Sequence, residues 1–246
     1  MCETGWREGR VMTSRRAHRL QTPFQMREAV VHVCRALSER QLIAGQDGNV
    51  SLRIAPDRIL VTPAGFAKGM LDADDLVEVA ANGVQLAGRH QPSSELALHL
   101  AAYAARPDVH AVVHAHPPTA TAFSLAGETI PDGVLAELML TVGAVALAPY
   151  VRPGTAEVGT VLGPFFREND VVLLAHHGAV ALGRALQDAH FAMESLEHGA
   201  RIIHLARQLG RVVTLQPAAC EALRAARRGA GSDAASDAAL METGND

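Results

Sequence analysis

The sequence predicts an α/β fold: a single domain in which a mixed, mostly antiparallel sheet lies between helical layers. Short apolar runs follow one another across tight glycine turns, a connection open to antiparallel neighbours. Longer segments with helical periodicity are interleaved with them, enough to cover both faces of a sheet. The length of 246 residues, with 48% hydrophobic and 20% charged side chains, suits one domain with a sizeable core.

Residues 24–42, FQMREAVVHVCRALSERQL, read as an amphipathic helix with Met26, Val30, Val31, Cys34, Leu37 and Leu42 near one face. AGQDGNVSLRI turns on Gly48-Asn49 into a strand, and RILVTPAGF supplies a second, ended by Pro63 and Gly65. LVEVAANGVQLAG predicts a hairpin around Asn82-Gly83, the signal of a type I′ turn. Pro92-Ser93-Ser94 opens a helix through ELALHLAAYAA, with serine as its N-cap. HAVVHAH is a buried strand, and Pro117-Pro118 start the next helix. GAVALAPY predicts a strand and GTAEVGTVLGPFF a helix. DVVLLAHHGAVALG reads as strand, glycine turn and strand, and residues 187–208 as a long helix.

The expected domain spans 23–212. Residues 1–22 read as a disordered lead-in: arginines are present, but no apolar stretch follows them as in a secretory signal. A transit peptide is the alternative, with Met12 as a second candidate start. The segment 213–246 is expected to be partly disordered, because RRGAGSDAASDAALMETGND is rich in Gly, Ala, Ser and Asp.

A net charge of -4 gives no reason to expect nucleic acid or an acidic membrane surface. No apolar run approaches the roughly 18 residues of a membrane span. Cys2, Cys34 and Cys220 are odd in number and widely spaced, so neither a disulfide framework nor a CxxC site is expected. A cytoplasmic setting fits these features.

The histidines carry the strongest chemical signal. On a strand, residues i and i+2 share a face, so His114 and His116 can reach one ion. Two satisfied core histidines are the competing reading. His110 lies about 13 Å back along the strand from His114, at roughly 3.3 Å per residue, too far for the same ion. A third ligand could come from His176 or His177, which point apart if they alternate, and spacing alone does not choose between them. His190, Glu194 and His198 form a second stripe at i, i+4, i+8, more often a solvated face of Glu/His pairs than a site. His32, His90, His99 and His204 read as ordinary surface or partly buried histidines.

Three segments could hold a phosphate. Gly48-Asn49 places a turn at a strand start, and Ala64-Gly65 lies in a tight turn. Ser93-Ser94 begins a helix, where backbone N–H groups and the helix dipole favour an anion. Each also has a plain turn or cap reading. Glu95 at the same helix start could complement the dipole or act as a general acid/base.

Taken together, GNVSLR, ILVTPAG, PSSELALHLAAYAARPDVHAVVHAHPPTATAFS, APYVRPGT and LLAHHGAVALG resemble the class II aldolase/adducin family over roughly residues 24–210. Ser-Ser-Glu followed by His-x-His and then His-Gly is the specific combination. The resemblance implies a three-layer α/β/α domain and a homotetramer with active sites at subunit interfaces. It implies a divalent metal, usually Zn²⁺, with Co²⁺ or Mn²⁺ as alternatives. The implied ligands fall on His114, His116 and the histidine directly before glycine, His177. Glu95 matches the catalytic acid/base, which also ligates the metal when substrate is absent. The implied phosphate site falls on Gly48, Asn49, Ala64, Gly65, Ser93 and Ser94.

Two positions depart from the family pattern. Aldolases of the family often carry Thr or Ser where this chain has Ala64. Their proton-donor tyrosine, expected soon after the segment equivalent to ETIPDGV, is missing from VLAELMLTVG; the chain has only Tyr103 and Tyr150. The implied reaction is metal-dependent retro-aldol cleavage of a ketose 1-phosphate, such as fuculose, 5-deoxyribulose or methylthioribulose 1-phosphate. The products would be dihydroxyacetone phosphate and an aldehyde. Alternatives on the same fold are a sugar-phosphate epimerase, a dehydratase or a decarboxylase. An adducin-like assembly module is the non-catalytic alternative, against which the histidines and Glu95 argue.

Overall fold

The structure, a computed structural model, describes residues 22–242, with side chains as far as residue 229. The expectations for residues 1–21, including Cys2 and Met12, lie outside the described residues.

Eight strands form one sheet: β1 (Asn49–Ala55), β2 (Arg58–Val61), β3 (Val77–Ala80), β4 (Gln85–Ala87), β5 (Ala111–Ala115), β6 (Val145–Ala148), β7 (Val171–Leu174) and β8 (Gly178–Gly183). Their order is β4-β3-β2-β1-β5-β8-β7-β6. The pairs are antiparallel except β6 with β7, which is parallel, so the sheet is mixed and mostly antiparallel as expected.

The helices are α1 (Pro23–Glu39), α2 (Leu96–Ala105), α3 (Pro118–Leu125), α4 (Ala136–Thr141), α5 (Glu157–Glu168), α6 (Leu186–Leu209) and α7 (Pro217–Glu242). Thr22 and Gln25 form a capping box that starts α1. Strand alternation sorts the core into two halves. Ala111, Val113 and Ala115 of β5 pack with Val30 and Leu37 of α1 and Met193 and Leu196 of α6. Val112 of β5 packs on the other side with Leu98 of α2 and Leu162 and Phe166 of α5. Three layers result. By the same alternation His114 shares the face of Val112, toward α2.

The local chemistry differs from expectation at three places. The β3–β4 turn is not type I′: Gly83 is left-handed (φ +86), but Asn82 is not among the residues with positive φ. Gly83 N–H bonds Ala80 O, and Ala80 N–H bonds Val84 O, with a register shift in the ladder. This is a three-residue loop with a glycine bulge, in which glycine alone takes the left-handed position. Helix α2 starts later than expected, with Glu95 rather than a serine at the N-cap. The short α4 lies in a stretch for which periodicity predicted no element. Within the C-terminal segment, Pro217–Glu242 form helix α7, in keeping with their alanine content. Helix α7 docks through Arg224 on Asp132 at 2.6 Å and Arg227 on Asp170 at 2.7 Å. Among the described residues no helix is long and apolar enough to cross a membrane, and Cys34 and Cys220 are free.

Candidate active site

Strand ends and one helix start converge at one end of the sheet. Asn49 opens β1 and pairs with His114 of β5. His116 leaves β5, His177 precedes β8, and Glu95 caps α2.

His114, His116 and His177 are brought together, each offering a ring nitrogen, with these atoms within 4.8 Å of one another. His114 is fully buried. Its Nδ1 meets Ala179 O at 2.9 Å, which leaves Nε2 to face the cluster, 3.2 Å from His116 Nε2. A backbone carbonyl holding the far nitrogen of a ligand histidine is the usual way to orient its ring. Glu95 enters from the opposite side, with Oε2 3.1 Å from His114 Nε2 and Oε1 3.3 Å from His177 Nε2.

The adjacent histidines are separated by a turn. His176 is exposed and left-handed (φ +57), while His177 turns inward. The sense of the divergence is as expected, but the cause is the turn conformation, not strand alternation. Gly178 is needed for the approach: a Cβ there would lie 2.5 Å from Ala115 O and 2.6 Å from His116 Cδ2. The glycine of His-Gly therefore lets His116 pack beside the backbone of β8.

Burial, followed by the nearby charge of His114, pushes His177 down to about 4. Burial likewise lowers His116. Burial alone would raise Glu95, but the hydrogen bond and charge of His114, the charge of His177 and the Asn49 amide together hold it well below the usual carboxylate range. Three imidazoles and a carboxylate gathered on one point form a donor set that fits a divalent ion.

The three anion segments also come together. Pro63 bridges to Pro92, Ala64 N–H bonds Gln91 O at 3.0 Å, and Ser93 N–H bonds Thr62 O at 3.1 Å. The N–H groups of Ala64 and Ser93 are thus spent inside the protein. Ser93 Oγ accepts from Glu95 N–H at 3.2 Å, while Ser94 and Gly65 are exposed. Asn49 is buried with its amide turned inward, donating to Glu95 Oε2 at 2.8 Å.

Two residues escaped the sequence reading. Lys68 is buried and donates to Gln46 O and Phe66 O, both at 2.8 Å. It ties the loop before Gly48-Asn49 to the loop after Ala64-Gly65, and burial lowers its proton affinity. His99, read as an ordinary surface or partly buried histidine, is fully buried. Its only sequence signal is its place four residues after Glu95 and four before Tyr103. His110 is exposed at the opposite end of β5. On α6, His190 pairs with Glu194 at 3.0 Å and Arg40 joins that carboxylate at 2.6 Å, while His198 is exposed.

Residues 28–204 match the model of the class II aldolase and adducin N-terminal domain. The chain is 35% identical to 3-oxo-tetronate 4-phosphate decarboxylase of Escherichia coli K12, over 73% of this chain and 86% of that protein. It is 32% identical to L-fuculose phosphate aldolase of Methanocaldococcus jannaschii, over 70% of this chain and 92% of that one. Among solved structures, YgbL of Escherichia coli, for which aldolase, epimerase and decarboxylase activities are offered as alternatives, superposes with a TM-score of 0.78. That match has 33% identity and covers 83% of this chain and 100% of YgbL. With the fold, the gathered histidines and these likenesses in agreement, the chain belongs to the class II aldolase/adducin family.

Proposed function

We propose that this protein is a metal-dependent decarboxylase of a phosphorylated 3-oxo sugar acid, of the 3-oxo-tetronate 4-phosphate type. The observation that carries the reading is Glu95: an acid/base carboxylate in contact with His114 Nε2 and His177 Nε2 of the candidate ion site. The likeness to decarboxylases of that substrate supports the choice of reaction. So does the missing proton donor. Helix α4, in the stretch where an aldolase of the family carries its tyrosine, has none; Tyr103 is buried and Tyr150 is 60% exposed.

His114, His116 and His177 would hold the ion, with Glu95 as a further ligand in the absence of substrate. A divalent ion bound there supplies Lewis-acid stabilisation of the negative charge that develops on the substrate's oxygens. When the C1–C2 bond of a 3-oxo acid breaks, C1 leaves as CO2 and C2 keeps the electron pair beside the C3 carbonyl. With substrate bound, Glu95 takes up a proton from solvent and passes it to C2, leaving dihydroxyacetone phosphate. A retro-aldol cleavage must also remove a proton from the hydroxyl that becomes the aldehyde; departing CO2 needs no such partner. A site without that tyrosine therefore suits decarboxylation. The phosphate would sit by the exposed Gly65 and Ser94, near the α2 N-terminus.

Retro-aldol cleavage of a ketose 1-phosphate is the second reading, favoured by the likeness to L-fuculose phosphate aldolase. It would use the same Glu95 proton transfer at C3. Incubating metal-loaded protein with 3-oxo-tetronate 4-phosphate and, separately, with L-fuculose 1-phosphate tests both. CO2 and dihydroxyacetone phosphate from the first substrate alone support the decarboxylase. Dihydroxyacetone phosphate from the second alone supports the aldolase, and no product from either overturns both.

A further inference from the structure

The polar chemistry of the site continues inward from Glu95. Asn49 Nδ2 is 2.8 Å from Glu95 Oε2, and Asn49 Oδ1 is 2.5 Å from His99 Nε2. His99 Nδ1 is 2.6 Å from Ser51 Oγ, which lies 2.8 Å from Tyr103 OH. All four residues behind Glu95 are buried. Arg53 closes the inner end, 4.8 Å over the Tyr103 ring and donating to the Tyr103 carbonyl at 3.2 Å.

The Asn49 amide donates through Nδ2 to Glu95 Oε2, and that orientation sets the protons along the rest of the chain. Asn49 Oδ1 then faces His99, whose Nε2 must carry the hydrogen. The bare Nδ1 accepts from Ser51, and the Ser51 oxygen accepts from Tyr103. Reversing the Asn49 amide would lose the bond it donates to Glu95. Burial, which pushes His99 down to about 3, keeps this imidazole neutral.

We propose that His99 is a positioning residue for Glu95. Acting through the Asn49 amide, it fixes the rotamer of the carboxylate, while Ser51 and Tyr103 in turn hold the far nitrogen of the His99 ring. The inference rests on the reading of Glu95 as the group that moves the proton. A packed and fully bonded support holds a reacting group in its productive geometry, and small displacements of such a group are costly in rate.

Two experiments test it. The first is ¹⁵N NMR of histidine-labelled protein without added metal. His99 should appear as the neutral Nε2–H tautomer from pH 5.5 to 8, and the Nδ1–H tautomer would overturn the proposal.

The second is kinetic, with 3-oxo-tetronate 4-phosphate as substrate. His99→Leu should lower kcat about 10-fold with KM and bound metal unchanged. His99→Gln, which can still donate to Asn49, should restore most of the rate. In a Glu95→Gln background, His99→Leu should cost nothing further, since its effect passes through Glu95. An equal loss in both backgrounds, or a His99→Gln variant as slow as His99→Leu, would show a role in packing only. Should His99→Leu not fold, Tyr103→Phe takes its place, with a loss of about 2–5-fold expected; an unchanged rate would count against the proposal. Failure of the Glu95 reading looks different: Glu95→Gln itself would leave kcat intact, whatever tautomer the NMR reports.

Discussion

Two helices of this protein carry polar side chains at the same spacing and do different things with them. On α6 the set is His190, Glu194 and His198; on α2 it is Glu95, His99 and Tyr103. Residues i and i+8 on a helix are separated by about 12 Å along the axis, so neither set can converge on one ion unaided. On α6 the outcome is a local contact between His190 and Glu194 with His198 outside it. On α2 the gaps are filled by Asn49 and Ser51 of β1. A strand step of two residues, about 6.6 Å, nearly matches a helix step of four, about 6 Å, so the two rows interleave. A polar stripe becomes a continuous chain of hydrogen bonds when a strand of commensurate spacing packs on it; without such a strand it remains a set of local pairs.

The sharpest break between the two helices should come from the ion. His177→Ala, which strips a ligand from the cluster facing α2, should lose the bound metal and reduce turnover to background. His198→Ala on α6 and His176→Ala beside the site should keep both. Metal content by elemental analysis decides this, and metal lost equally from the His176 and His177 variants would place the turn one residue away. Next in size is Glu95→Gln, expected to keep fold and metal but cut turnover by about 10²-fold or more, because the amide cannot take up a proton at neutral pH. Initial rates and thermal midpoints on one preparation separate this from a capping role; an intact rate with a lowered midpoint would demote Glu95 to the latter.

A third test uses acid. His99 is held neutral down to about 3 in the folded chain against an ordinary 6.5. Between these values the unfolded chain binds a proton that the folded chain refuses. Stability from this group is therefore complete above about 6.5 and falls as pH drops toward about 3, by up to ~1.4 kcal/mol per pH unit. Urea unfolding from pH 4 to 7 should show a shallower acid loss in His99→Gln than in the wild type, and identical slopes would remove His99 from the balance. The smallest effect belongs to α6. Glu194→Gln weakens the contact with exposed Arg40 at the end of α1 and with His190, and should cost less than ~1 kcal/mol without changing turnover.

The fold was readable where a periodic pattern repeats: alternation in HAVVHAH and VVLLAHHGAVALG, and the 3.6-residue period of α1 and α6. The loop-end cluster was readable too, because His114 and His116 declare themselves by spacing, although the choice of His177 over its neighbour came from resemblance. What failed was local. Asn-Gly marks a turn but not how many residues it holds, and Ser93-Ser94 offers two caps where Glu95 occupies the position. His99 and Lys68 were hidden for another reason. A lone buried polar residue has no period; its partners at Asn49, Ser51, Gln46 and Phe66 are distant in sequence or belong to the backbone, and only packing reveals them.

Gly178 limits how this centre can change over evolutionary time. Any side chain at that position meets the Ala115 carbonyl and the His116 ring together. A single substitution would therefore wedge β5 from β8 and turn the His116 ring in the same event, so strand pairing and the geometry of the histidine cluster cannot drift independently there. Variation has an easier route through Asp47, whose half-exposed carboxylate lies 3.5 Å from His116 Nδ1. Exchanging that one group would change the charge beside the His116 ring from outside the sheet while leaving the pairing of β5 with β8 untouched.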